Sequence, residues 1–340
     1  MTEHPITEKS NAASSTAAAK ALKQRSVRID IVRLIGLLVV VAGHVWVQYP
    51  IGGYVAIFFV LSGYLWSAKR SVAEDLRYQS WKLLIPYFAW LAILAVPYFA
   101  RALTGTRDEV SLGSRALDLL WGGERATTPF TAFWFMTAIF VAAILFRILM
   151  LAPRWVYYGC LALALVASIF DEQLLGGLPF AVDVGAVSIL FMAAGHAYRT
   201  IEPKVGRFSA GAAAVVVVCG VLVATGTSAR MTLKSGDFGT PVLSIAVAVL
   251  MALAAMSLAR PLADALPEKA GHTVSRIVQM GTPIILLHAV PLWLLPDSVP
   301  QIAEFVAACI FPVLVALILL RFPGSLARRT LMPDKDHHLL

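Results

Sequence analysis

Charge is scarce in this chain of 340 residues: Asp, Glu, Lys and Arg make up 14% of it, against roughly 25% in a soluble domain. Together with 59% hydrophobic residues, that deficit excludes a sizeable soluble domain and points to a polytopic membrane protein. Cysteine is nearly absent. Cys160, Cys219 and Cys309 each lie in an apolar stretch, with no CxxC pair and no Cys/His cluster. They read as small core residues, and no metal site is expected. The formal net charge is +8, which in a soluble protein would suggest nucleic acid. Here the basic residues fall in short connections, where they set membrane orientation, so no nucleic-acid partner is expected. Paired broken helices of the transporter kind are also missing, because Pro97, Pro241, Pro283, Pro291 and Pro312 do not recur at matching places in two halves.

Apolar runs of membrane-spanning length dominate what is present. Ten can be counted, at about 30–48, 51–67, 83–100, 130–149, 155–170, 180–198, 208–227, 240–258, 277–295 and 302–321. The fold class expected is all-α, with about ten transmembrane helices. Basic residues fall mainly on one side if both termini are cytoplasmic: Lys69, Arg70, Arg77 and Lys82, then Arg154, Arg199, Lys204, Arg207, Arg260, Lys269 and Arg276. The opposite side keeps a minority, including Arg101, Arg107, Arg115, Arg125, Arg230 and Lys234. Residues 1–27, rich in Ala, Ser and Thr and without a signal-peptide pattern, read as a disordered cytoplasmic tail. Residues 28–325 form the membrane domain and 326–340 a second cytoplasmic tail.

Arg33 and His44 stand out within the first run, RLIGLLVVVAGH. Eleven residues are about three helical turns, so both side chains fall on nearly one face, with a rise between them of roughly 16 Å. Ionisable groups inside a membrane are functional suspects by default. A neutral imidazole at His44 can take a proton from a hydroxyl near neutral pH; the alternative is a buried histidine bonded to a neighbouring helix. His288, in GTPIILLHAVPLW, lies at similar depth, whereas His196 sits near the other edge and reads as interfacial. Asp183 is an acid near the outer edge, placed to orient a histidine or an acceptor hydroxyl. The cluster Lys69, Arg70, Arg77 and Lys82 would cradle a polyanion such as the phosphates of coenzyme A, although orientation alone also accounts for it. In YVAIFFVLSGYL, the Ser62–Gly63 pair lets a second backbone come close. Trp134 is either an interfacial anchor or a stacking face for a sugar ring.

Taken in order, Arg33-x10-His44, FFVLSGYL, a basic stretch ending KLLIPY, FWFMTAIF, ILFMAAGHAYR and GTPIILLH resemble the acyltransferase 3 family of integral membrane acyltransferases. The resemblance runs from about residue 28 to 321. It implies about ten helices and transfer of an acyl group, usually acetyl from acetyl-CoA, to a hydroxyl of an envelope glycolipid or polysaccharide, with no metal. The implied catalytic residues are His44 as general base, with Arg33, His288 and Asp183. Arg33, Arg70, Arg77 and Lys82 would hold the acyl-CoA, and Trp134, Phe135, Ser62 and Tyr64 the acceptor. Lys82 stands where family members usually carry arginine, and Thr282 and Ile285 where many carry Ser and Tyr. Some members carry a fused hydrolase-like domain after the last helix; none is expected here. The implied setting is a bacterial inner membrane, multi-pass, with the N-terminus cytoplasmic, and it leaves room for a homodimer.

Two other classes fit the same composition. A proton-coupled transporter or flippase of an envelope lipid would also use buried histidines among ten helices, and a catalytically dead scaffold would keep the fold alone. Stabilisation by CoA separates the enzyme from both.

Overall fold

The computed structural model of the chain describes residues 27–47, 54–104, 111–170, 175–205 and 209–333; the 1–27 tail expected from the sequence lies almost wholly outside them. Among the described residues the structure is helical, and the one β feature is an isolated bridge between Thr232 and Asp237. Helix α1 covers 27–45. It is followed by α2 (Ala56–Leu65), α3 (Val72–Gln79), α4 (Ile85–Thr104) and α5 (Leu112–Trp121). Next come α6 (Trp134–Leu149), α7 (Arg154–Ala167), α8 (Val182–Val187), α9 (Ile189–Val205), α10 (Ser209–Ala224) and α11 (Leu243–Ala265). The chain continues through α12 (Glu268–Gln279), α13 (Gly281–Leu287), α14 (Ala289–Leu294), α15 (Gln301–Leu320) and α16 (Leu326–Leu331).

Among the described residues, fewer helices reach full spanning length than the ten apolar runs. Among the described residues three continuous helices are long and apolar enough to cross a membrane: Val72–Thr104, Leu243–Ala265 and Gln301–Leu320. The first joins α3 to α4 through a π-helical turn at Ser80–Leu84. Two further pairs qualify if each bent pair is one span, with α8 and α9 bent by 42° and α12 and α13–α14 by 52°. Pro283 contributes to the second bend, since it has no N–H to offer the carbonyl of Gln279. The other apolar helices, α2, α6, α7 and α10, have 10 to 17 residues. At about 1.5 Å per residue these fall short of the ~30 Å hydrocarbon core. Residues 326–331 form a helix that docks on α4, with the indole of Trp90 donating to the Leu331 carbonyl at 3.1 Å.

Helices α2 and α9 cross with their backbones in close approach. A Cβ on Gly63 would collide with the Met192 carbonyl, and one on Gly195 with the Val60 carbonyl. Each glycine therefore admits the backbone of the other helix, as small residues do where no hydrophobic effect drives helices together in lipid. Phe59, Tyr64, Phe191 and Met192 fill the core around this crossing. The expectation that Gly63 permits close approach is met, with α9 as the partner.

Candidate functional site

The last turns of α1 and the junction of α13 with α14 bring two histidines together. His288 Nε2 lies 3.4 Å from His44 Nδ1, with ring centroids 4.8 Å apart at 73°. His288 is fully buried. Its Nδ1–H donates to the carbonyls of Ile284 and Ile285 at 3.0 and 2.9 Å, so its Nε2 keeps the lone pair. The Nδ1 of His44 faces two acceptors in turn, the Val40 carbonyl at 2.9 Å and that lone pair. It therefore carries the hydrogen, and the basic nitrogen of His44 is Nε2.

His44 lines a cavity of about 800 Å³, toward the upper end of the range for small-molecule sites. Trp134 and Phe135, at the start of α6, lie on the same cavity with Phe58, Tyr54 and Trp293. Phe135 is fixed by ring contacts to Phe58 and Phe59 at 5.4 and 5.7 Å. Gly43 makes room for Tyr54, whose hydroxyl would clash with a Cβ there.

Three cations share this cavity: Arg101 from α4, and Arg230 and Lys234 from the loop between α10 and α11. From the sequence all three read only as minority charges in topology. That minority status was the available signal, because a basic residue kept against the orientation bias needs another reason to be there. Each cation is anchored on a backbone carbonyl: Arg101 donates to Trp293 at 3.0 Å, Arg230 to Val47 at 2.6 Å and Lys234 to Ala126 at 2.6 Å. Burial pushes the Lys234 ammonium below its ordinary range, against a smaller opposing pull from Glu124. The loop is laced by its own hydroxyls. Ser244 Oγ donates to the Ala229 carbonyl at 2.8 Å and accepts from the Thr240 N–H at 2.9 Å. Gly236, at φ +80°, abuts the backbone of Leu175, which a Cβ would strike.

The other residues singled out from sequence lie elsewhere. Arg33 pairs with Asp30 at 3.4 Å, and Asp30 accepts from Ser275 of α12 at 2.7 Å; Arg33 does not line the His44 cavity. Arg70 and Lys82 lie against the ring of Tyr78, at 3.9 and 5.7 Å from its centroid, and Lys82 is part of the π-helical turn. Arg70 also pairs with Asp75 at 3.5 Å, and Asp75 binds the buried Arg147 at 3.4 Å. Arg77 is exposed on α3. Ser62 is half-buried on α2 and outside the cavity lining. Tyr64 belongs to a buried network: it donates to Glu202 at 2.5 Å and accepts from Arg28 at 2.7 Å, while Glu202 also binds Arg28 and Arg260. Sequence reading did not see this network, because Arg28 and Glu202 are 174 positions apart.

Asp183 has a different task from orienting a histidine. Its carboxylate accepts the N–H groups of Gly176 at 2.8 Å, Leu178 at 3.1 Å and Val184 at 2.8 Å. It ties down the turn before α8 and does not line the His44 cavity. Among the described residues no group of three or more His, Cys, Asp or Glu side chains is placed to hold a metal ion.

A family model described as "Acyltransferase domain", acyltransferase 3, matches residues 26–321. No curated protein and no solved structure matches the chain.

Proposed function

The chain belongs to the acyltransferase 3 family, and on that premise we propose that this membrane acyltransferase moves an acetyl group from acyl-CoA to a hydroxyl of an envelope glycolipid or polysaccharide. The observation that carries the reading is a tautomer-fixed imidazole at a cavity wall: His44 keeps Nε2 basic because Val40 and His288 occupy its Nδ1 side.

The acceptor hydroxyl gives its proton to His44 Nε2 as its oxygen attacks the thioester carbonyl. The tetrahedral intermediate collapses with cleavage of the C–S bond, and the departing CoA thiolate takes the proton back from the imidazolium. One C–O ester bond forms, one C–S bond breaks, and the histidine returns neutral. While charged, the imidazolium keeps its Nδ1–H on the Val40 carbonyl and the His288 lone pair, so the ring does not turn between steps. Holding both reactants in line at one cavity supplies a further share of the rate.

In this reading the donor enters from the Arg33 end, which is the cytoplasmic side of a bacterial inner membrane. Arg33, Arg70, Arg77 and Lys82 serve its phosphates. The roughly 16 Å of helical rise from Arg33 to His44 suits an extended pantetheine arm. The acceptor sugar stacks on Trp134 and Phe135 in the cavity.

Proteoliposomes given labelled acetyl-CoA and an envelope extract test this directly. The expected result is CoA thiol release matched by acetyl ester in the lipid or glycan fraction. Flux of an envelope lipid without CoA, and no ester formation, would overturn the reading in favour of a carrier.

A further inference from the structure

A second hollow adjoins the catalytic cavity. It is a groove of about 440 Å³ formed by α1, the start of α2, α10 and α11, with walls such as Ile35, Val39, Val223, Val247, Ala248 and Met251. Ile35 and Met251 are partly exposed on the outer face of the bundle, so the groove opens where hydrocarbon surrounds the protein. Tyr54, Arg230 and Met231 line both hollows. Arg230 therefore stands at the junction between an apolar groove and a polar, aromatic cavity.

The charges at this junction are unbalanced. Arg101, Arg230 and Lys234 line the cavity with one carboxylate, Asp297, while Glu124, outside the lining, pulls on Lys234. Among the described residues none of the three cations makes an ion pair, and Arg230 Nε is buried without a hydrogen-bond partner. Part-buried cations such as Arg230 and Lys234, lining one cavity without a paired carboxylate, call for compensation by an anion. A guanidinium offers phosphate a fork of two parallel N–H donors.

We propose that the acceptor is a membrane-resident amphiphile whose phosphate binds Arg230 at the junction, with its apolar chain in the groove and its sugar hydroxyl at His44. The proposal rests on the acyltransferase reading above and adds the acceptor's chemical class. A soluble anionic glycan would leave the groove unused, and a neutral glycolipid would leave the cations unbalanced. The lipid-borne phosphate uses both hollows at the point where they meet.

The test uses the full-length protein in micelles of dodecyl maltoside, an uncharged detergent, with hexadecyl phosphate as the probe and hexadecanol as its neutral counterpart. The expected result is saturable binding of hexadecyl phosphate at least tenfold tighter than hexadecanol, unaffected by equimolar inorganic phosphate. Arg230→Gln should remove that preference, and Arg230→Lys should retain most of it. Ala248→Trp, which fills the groove, should abolish probe binding in a protein that melts as the unsubstituted chain does. Equal binding of hexadecanol would overturn the proposal in favour of a neutral lipid. Displacement by inorganic phosphate, with Ala248→Trp silent, would overturn it in favour of a soluble anion. CoA binding measured on the same sample separates the two readings. CoA bound without the probe sinks the phosphate-lipid acceptor alone, and the probe bound without CoA sinks the acyltransferase reading.

Discussion

His288 Nε2 faces His44 Nδ1 at 3.4 Å from the break between α13 and α14, 244 positions away in sequence. His288 is fully buried and outside the cavity lining; in the proposed mechanism it touches no reacting atom and is a positioning residue for the His44 imidazole. His288→Ala should lower turnover by about 10²-fold, within the usual worth of acid–base catalysis, while leaving acyl-CoA affinity unchanged. It should also shift the acid limb of the pH–rate profile, which a merely structural loss would not move. Steady-state kinetics across pH, with CoA binding as the control, check this.

Asp183→Ala distinguishes a structural carboxylate from a catalytic one. Two buried N–H groups, of Gly176 and Val184, and the part-buried one of Leu178 would lose their acceptor, at a cost of about 1–3 kcal/mol for each buried group left unsatisfied. The variant should unfold at lower temperature, yet its folded fraction should turn over normally. Thermal unfolding beside specific activity measures both.

At the α2–α9 crossing there is no space for a methyl group. Gly63→Ala and Gly195→Ala should each destabilise by about 1–3 kcal/mol, the range for overpacking a filled core. The two should not add, because both act on one crossing. Denaturation of the single and double variants in the same detergent gives the comparison.

Asp75 neutralises Arg147, whose side chain is 6% exposed. Asp75→Asn leaves that guanidinium buried without its counter-charge and should cost about 3–5 kcal/mol. Arg147→Met with Asp75→Asn should recover much of the loss. Unfolding midpoints of the two variants and the unsubstituted protein decide it.

The sequence made the helical class, the His44–His288 pairing of depth and the Trp134–Phe135 wall legible. These lie in long apolar runs, where one ionisable or aromatic residue stands out. The close approach at Gly63 was legible for the same reason, as a small residue in an apolar helix. Arg230 and Lys234 were not, because their place depends on a hydroxyl-bonded loop folding inward, which no helical periodicity records. The Arg28–Glu202–Tyr64 network was hidden by its sequence separation. The all-helical class carries over, while among the described residues only three to five spans of full length can be counted, because an apolar run records neither a bend at Met280 nor where a helix stops.

The central claim is that His44 takes the proton of the acceptor hydroxyl. It is tested most directly by His44→Ala in purified protein given labelled acetyl-CoA and envelope extract, with CoA binding and melting temperature measured alongside. The account predicts acetyl transfer lowered by at least about 10²-fold, with CoA still bound and the fold intact. Transfer at the unsubstituted rate in that variant would contradict it.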